Sequence, residues 1–223
     1  MRYTGALERD ITKPFVESNA RVISSYVNDR EIYQVKTEIK SATVRLTKDD
    51  ITKEGKVDEW VSNIICKYGR IHVLVNVVGG YLTGKEHIRT WWKRIGFDDY
   101  YESKSAFLIS KHVVSQMISS KYRKIIHVSS RTDLQTEGYD SAYAASKSWR
   151  IMLVESVSEE TKISNINVNC IMPCIIDTEG NGKSMPNADF NKWVKPEDLV
   201  DVVLFWAQKK QRPQQLLLYL LME

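Results

Sequence analysis

The sequence predicts a doubly wound α/β fold in a single domain spanning residues 1–223, and three observations carry that expectation. Short runs rich in Val and Ile alternate with stretches of helical periodicity along the chain. No internal repeat or low-complexity linker interrupts the alternation. At 223 residues, with 43% hydrophobic and 27% charged side chains, the chain is long enough to bury one apolar core without disulfides or structural metal. Parallel strands need crossover connections, and helices supply them, so strand–helix alternation argues for a parallel sheet covered on both faces.

Taken in order, residues 21–27, 43–46, 71–78, 124–128 and 166–172 read as strands, each an apolar run bounded by polar or glycine-containing stretches. Residues 57–68, 103–120, 144–160 and 196–209 read as helices, the last opening on Pro196 followed by Glu197 and Asp198, which suit a helix start. Residues 177–192, with Gly180, Gly182 and Pro186, read as one long loop before the final helix. In folds of this class the loops beyond the carboxyl ends of strands bind ligands. The apolar tail at 214–223 fits a last buried strand.

Charge and cysteine usage narrow the function. The 32 basic and 28 acidic side chains are interleaved, so a net charge of +4 makes no field that would recruit nucleic acid. Cys66, Cys170 and Cys174 are odd in number and sit in apolar surroundings, which suits reduced thiols; neither a disulfide nor a metal site is expected. The N-terminus is charged where a signal peptide is apolar, and the longest apolar run, 216–222, is far too short to span a bilayer. A soluble, cytoplasmic protein with no membrane partner is expected.

The sharpest local feature is IIHVSSRTDLQTEGYDSAYAASKSW, residues 125–149. It places Ser129 and Ser130 at the end of a strand and sets Tyr143 and Lys147 one helical turn apart, on one helix face. An ammonium beside a phenol stabilises the ionised form, so such a pair can give or take a proton at a carbonyl oxygen. Tyr81 with Lys85 and Tyr100 with Lys104 have the same spacing. Only Tyr143 is followed by the small residues Ala144, Ala145 and Ser146, which let a helix approach a backbone or a flat ligand.

With those residues the chain resembles the short-chain dehydrogenase/reductase family. Asp50, Ile51 and Thr52 look like its D-V-T, NVVGG at 76–80 like its N-N-A-G, SAFLISK at 105–111 like its interface helix, and PCIIDT at 173–178 like its P-G-x-V-x-T. The resemblance implies a Rossmann-like sheet and hydride transfer between NAD(P)H and a small carbonyl or alcohol substrate. It implies that Tyr143 exchanges a proton with the substrate oxygen, that Ser130 orients that oxygen, and that Lys147 lowers the Tyr143 pKa and binds the nicotinamide ribose. For the cofactor it implies Gly5 in the phosphate loop, Asp50 at the adenine, Asn76 and Gly79 beside the adenosine ribose, and Ile176 and Thr178 by the nicotinamide. Asp50 reads equally well as a turn or cap residue, and the alternative for Ser130 is a cap at the strand end. A homodimer or homotetramer packed through the helices at 103–120 and 144–160 is also implied.

A narrower resemblance joins DTEGNGKSMPNADFNKW, residues 177–193, and Gly5, Ala6 and Leu7 to the dihydropteridine reductases, implying a pterin substrate as an alternative. The chain also departs from the family. Residues 1–4 leave only a truncated first strand, Glu8 stands at the last glycine of the phosphate turn, and Pro14 falls in the first helix. Tyr26 replaces the acid that selects NAD, so selection for NAD is not encoded there, and Arg30 either favours NADP or is a lone solvated charge. Cys174 replaces a glycine, and Glu102 replaces a structural asparagine; Glu102 either pairs with Lys147 or points to solvent. Weakened cofactor binding follows as an expectation. With it comes a further alternative, a cofactor-poor homologue that keeps the fold as an oligomer partner.

Overall fold

The computed structural model describes residues 6–27, 37–39, 41–79, 100–118, 123–131, 138, 141–208 and 218–221. Gly5, the short first strand at 1–4, Arg30, Tyr81 and Lys85 lie outside them. The elements run α1 (Ala6–Glu17), β1 (Val22–Tyr26), β2 (Val44–Lys48), α2 (Glu54–Tyr68), β3 (Val73–Asn76), α3 (Tyr100–Met117), β4 (Arg123–Val128), α4 (Ser141–Thr161), β5 (Ile166–Pro173), α5 (Glu179–Ser184), α6 (Pro196–Ala207) and β6 (Leu218–Leu221).

Every described strand pairing is parallel, as the alternation requires, and the strands form two ladders, β1–β2 and β3–β4–β5–β6. Among the described residues no hydrogen-bonded ladder joins β1 to β3. β4 and β5 are buried along their whole length, and their apolar residues are interrupted by the buried polar side chains of Arg123, Lys124, His127, Asn167 and Asn169. Their side chains alternate between two cores. Ile125, Val168, Cys170 and Met172 face a core completed by α2, α3 and α4, while Ile126, Val128 and Ile171 face one completed by α1 and α6. Helices on both faces of a parallel sheet make the fold doubly wound.

Local sequence explains where the elements end. α2 stops at Gly69, whose φ of 78° lets its N–H reach back to the Ile65 carbonyl at 2.7 Å. α6 opens on Pro196 with Glu197 and Asp198 in its first turn, where acidic side chains oppose the helix dipole. α1 continues through Pro14 to Glu17. The stretch at 177–192 is not wholly irregular: it holds α5, capped by Thr178, and a 3-10 turn at Phe190–Lys192, capped by Asp189. Among the described residues no helix is long and apolar enough to cross a membrane.

Candidate active site

The site is built at the carboxyl ends of β3, β4 and β5. Beyond Val128 the chain stays in the sheet for one more residue, since the Ser129 N–H donates to the Ile171 carbonyl at 2.8 Å. The Ser129 hydroxyl donates to the Lys147 carbonyl at 3.3 Å, fastening α4 to the strand end. Ser130 follows half-buried at the rim. On α4, Tyr143 and Lys147 are both buried, and the Lys147 ammonium lies 5.3 Å from the centre of the Tyr143 ring. The one-turn spacing read from sequence therefore becomes a contact.

Lys147 is also held from a second helix. Its Nζ lies 2.6 Å from the Glu102 carboxylate of α3, with both side chains in the interior, so of the two alternatives for Glu102 the structure takes the ion pair. The same carboxylate oxygen lies 3.6 Å from the Arg150 guanidinium. Arg150, at 1% exposure, donates to the Val128 carbonyl and, at 2.8 Å, to the Val78 carbonyl, so one planar fork joins the ends of β3 and β4. Gly79 lies against this cluster, where an added Cβ would stand 3.0 Å from the Lys147 Nζ.

Asn76 closes β3 and is buried. Its side-chain carbonyl accepts from the Val78 N–H at 3.2 Å, which fixes the amide so that its NH₂ faces Nδ1 of His127, also at 3.2 Å. The other ring nitrogen, Nε2, lies 3.0 Å from the Ser110 hydroxyl on α3. Nδ1 is then an acceptor and Nε2 carries the proton. Burial, with Arg150 nearby, pushes the His127 pKa down to about 3, so the ring is neutral and serves as a strut beneath the β3 end.

The remaining residues are placed as follows. The Asp50 carboxylate accepts from the Thr52 N–H at 3.1 Å and from the Thr52 hydroxyl at 2.6 Å, the geometry of a turn residue. Ile176 bridges to Val194, and its carbonyl accepts from the Asn181 side chain at 2.7 Å. The Thr178 hydroxyl accepts from the Asn181 N–H and lines an open cleft with Asp177, Gly182, Lys183, Pro186 and Phe190. Asn181 thus ties Ile176 to Thr178, which lines the cleft. Glu8, in the first turn of α1, turns its carboxylate sideways to accept from the Ser24 hydroxyl on β1.

Sequence reasoning missed His127, Arg150 and Asn181. The first two had a signal: each is a polar side chain within an apolar run, and buried polar groups demand partners. The Tyr143 phenol and Lys147 ammonium on α4 and the Thr178 hydroxyl after β5 are groups whose chemistry fits a nicotinamide dinucleotide, and Thr178 lines an open cleft. At the diphosphate end a carboxylate already occupies the helix start, and its hydrogen bond to Ser24 draws it toward β1.

Comparison with known proteins agrees with this architecture. The chain is 28% identical over 212 residues to the 3-oxoacyl-[acyl-carrier-protein] reductase FabG of Chlamydia trachomatis, covering 88% of this chain and 84% of that protein. It is 30% identical over 178 residues to the 2-dehydro-3-deoxy-D-gluconate 5-dehydrogenase of Formosa agariphila, covering 73% and 65%. Among solved structures, ElxO with NADP bound superimposes with a TM-score of 0.88 at 20% identity, over 97% of this chain and 95% of that one. The likeness to ElxO concerns the fold. The profile of the short chain dehydrogenase family matches residues 3–189, and the chain belongs to that family.

Proposed function

We propose that the chain is an NAD(P)H-dependent oxidoreductase that interconverts a small carbonyl compound and its alcohol. The observation that carries the reading is the buried Lys147 ammonium 5.3 Å from the Tyr143 ring, at the strand end that also presents Ser130. The bound nicotinamide supplies or accepts the hydride at the carbonyl carbon. In reduction the Tyr143 phenol passes its proton to the carbonyl oxygen and is reprotonated from solvent, while Ser130 hydrogen-bonds that oxygen and Lys147 holds the ribose. Reduction then consumes one carbonyl, one reduced cofactor and one proton, giving alcohol and oxidised cofactor. The relatives named for reductase and dehydrogenase activities support this class of reaction.

Within this class a pterin substrate rests on the 177–193 segment, whose α5 and 3-10 turn border the open cleft. Phe107, Trp149 and Met152 are 46%, 40% and 58% exposed on α3 and α4, which supports a homodimer or homotetramer packed through those helices. One observation favours the cofactor-poor reading, the Glu8 carboxylate at the start of α1. The test is oxidation of NADH or NADPH in the presence of a panel of ketones, aldehydes and quinonoid pterins, with Tyr143→Phe as control. Turnover that falls by roughly 10²–10⁴-fold in the variant supports the assignment. Turnover unaffected by Tyr143→Phe, or none with any substrate, refutes it.

A further inference from the structure

Glu102 lies between two cations, 2.6 Å from the Lys147 ammonium and 3.6 Å from the Arg150 guanidinium, and all three side chains are buried. In such surroundings a charge is screened weakly, so whether Lys147 is neutralised by a carboxylate decides what field reaches the phenol beside it. An uncompensated ammonium in contact with a tyrosine favours phenolate; one paired at hydrogen-bond distance does so far less. Among the described residues, the ionisable and charged groups around Lys147 include Tyr143 from α4 and Glu102 from α3, with Arg150 of α4 on Glu102 and His127 of β4, neutral, near Arg150.

We infer that Glu102 is a positioning residue which acts through Lys147: it fixes the ammonium against Gly79 and offsets its field, so that Tyr143 remains a protonated phenol at neutral pH. This inference rests on the hydride-transfer reading. A phenol is the form that protonates a carbonyl oxygen during reduction and a phenolate the form that takes a proton during alcohol oxidation, so Glu102 sets the pH range over which each direction runs and leaves their equilibrium unchanged. The Arg150 fork keeps Glu102 in place from the other side, since it is itself anchored to the Val128 and Val78 carbonyls.

The test is an ultraviolet difference titration of the cofactor-free protein. Each background is read against its own Tyr143→Phe partner, so that one phenol is seen among the 11 tyrosines. In the native chain that phenol ionises in the range of a free tyrosine or above it. In Glu102→Gln its ionisation moves down by about one pH unit or more, Glu102→Asp restores it, and the alkaline fall of carbonyl reduction moves down with it. A Glu102 that serves only to hold the fold lowers the stability of Glu102→Gln and leaves the phenol where it was. That outcome overturns the inference, as does a native phenol already ionised near neutral pH, which decides the matter even where Glu102→Gln does not fold. The phenol is read without cofactor, so its failure to move leaves the oxidoreductase reading intact. Absent turnover with the phenol shift present refutes that reading alone.

Discussion

Replacing His127 with Gln tests how the β3 end is supported, because the native ring must stay neutral while it is buried. Nδ1 accepts from an Asn76 amide that cannot turn without releasing the Val78 N–H, so a second ring proton would meet donors on that side. Burial is the larger cause of the depressed pKa, and the Arg150 charge adds to it. The unfolded chain has an ordinary histidine near 6.5, whereas the folded one stays unprotonated down to about 3. Between those values only the unfolded state binds the proton, so stability is full above about pH 6.5 and falls as the pH drops toward 3. The slope is about 1.4 kcal/mol per pH unit, and the whole window amounts to about 5 kcal/mol. Urea denaturation at a series of pH values measures it directly. His127→Gln loses about 1–3 kcal/mol at neutral pH through poorer bonds to Asn76 and Ser110, and its acid slope is flatter than that of the native chain by about 1.4 kcal/mol per unit. Equal slopes in the two proteins refute a neutral, buried His127.

Other substitutions follow from the same cluster. Arg150→Met leaves Glu102 facing one cation instead of two and strips the Val128 and Val78 carbonyls of their donor, so denaturation should show a loss of about 3–5 kcal/mol. Arg150→Lys recovers little of this, because an ammonium cannot span the three acceptors; full recovery contradicts the fork. Gly79→Ala places a methyl 3.0 Å from the Lys147 Nζ, which must shift within its ion pair. Steady-state kinetics should show about a tenfold fall in turnover, about 1.4 kcal/mol of barrier, with little change in the denaturation midpoint. Unchanged turnover shows that the position of Lys147 is not critical.

What could be read from sequence depended on whether the signal was local. β4 and β5 are buried on both faces and announced themselves as apolar runs. The starts of α2, α3 and α4 at Glu54, Tyr100 and Ser141 fall three residues before the expected 57, 103 and 144. Two of these first turns are largely polar, Glu54–Gly55–Lys56 and Tyr100–Tyr101–Glu102, and the third opens on Ser141 and Ala142, so apolar periodicity begins only after the helix does. Tyr143 and Lys147 lie one turn apart and were legible as a pair. Glu102 is separated from Lys147 by 45 positions and Asn76 from His127 by 51, distances no spacing rule reaches across; the family resemblance alone offered Glu102 as a partner of Lys147, beside the alternative of solvent. The 177–192 stretch hid its two turns because α5 is six residues long, too short for a periodic pattern.

The account rests on a bound nicotinamide cofactor, and isothermal titration of the native protein with NADH and with NADPH measures that most directly. Saturable heat with at least one of them, retained in Tyr143→Phe while turnover is lost, is the predicted result. It would show that a carboxylate drawn aside to Ser24 is tolerated beside the diphosphate. No heat from either cofactor near millimolar concentration, in a folded protein, would contradict the oxidoreductase assignment and leave the buried Glu102–Lys147–Arg150 cluster as a structural element of the fold.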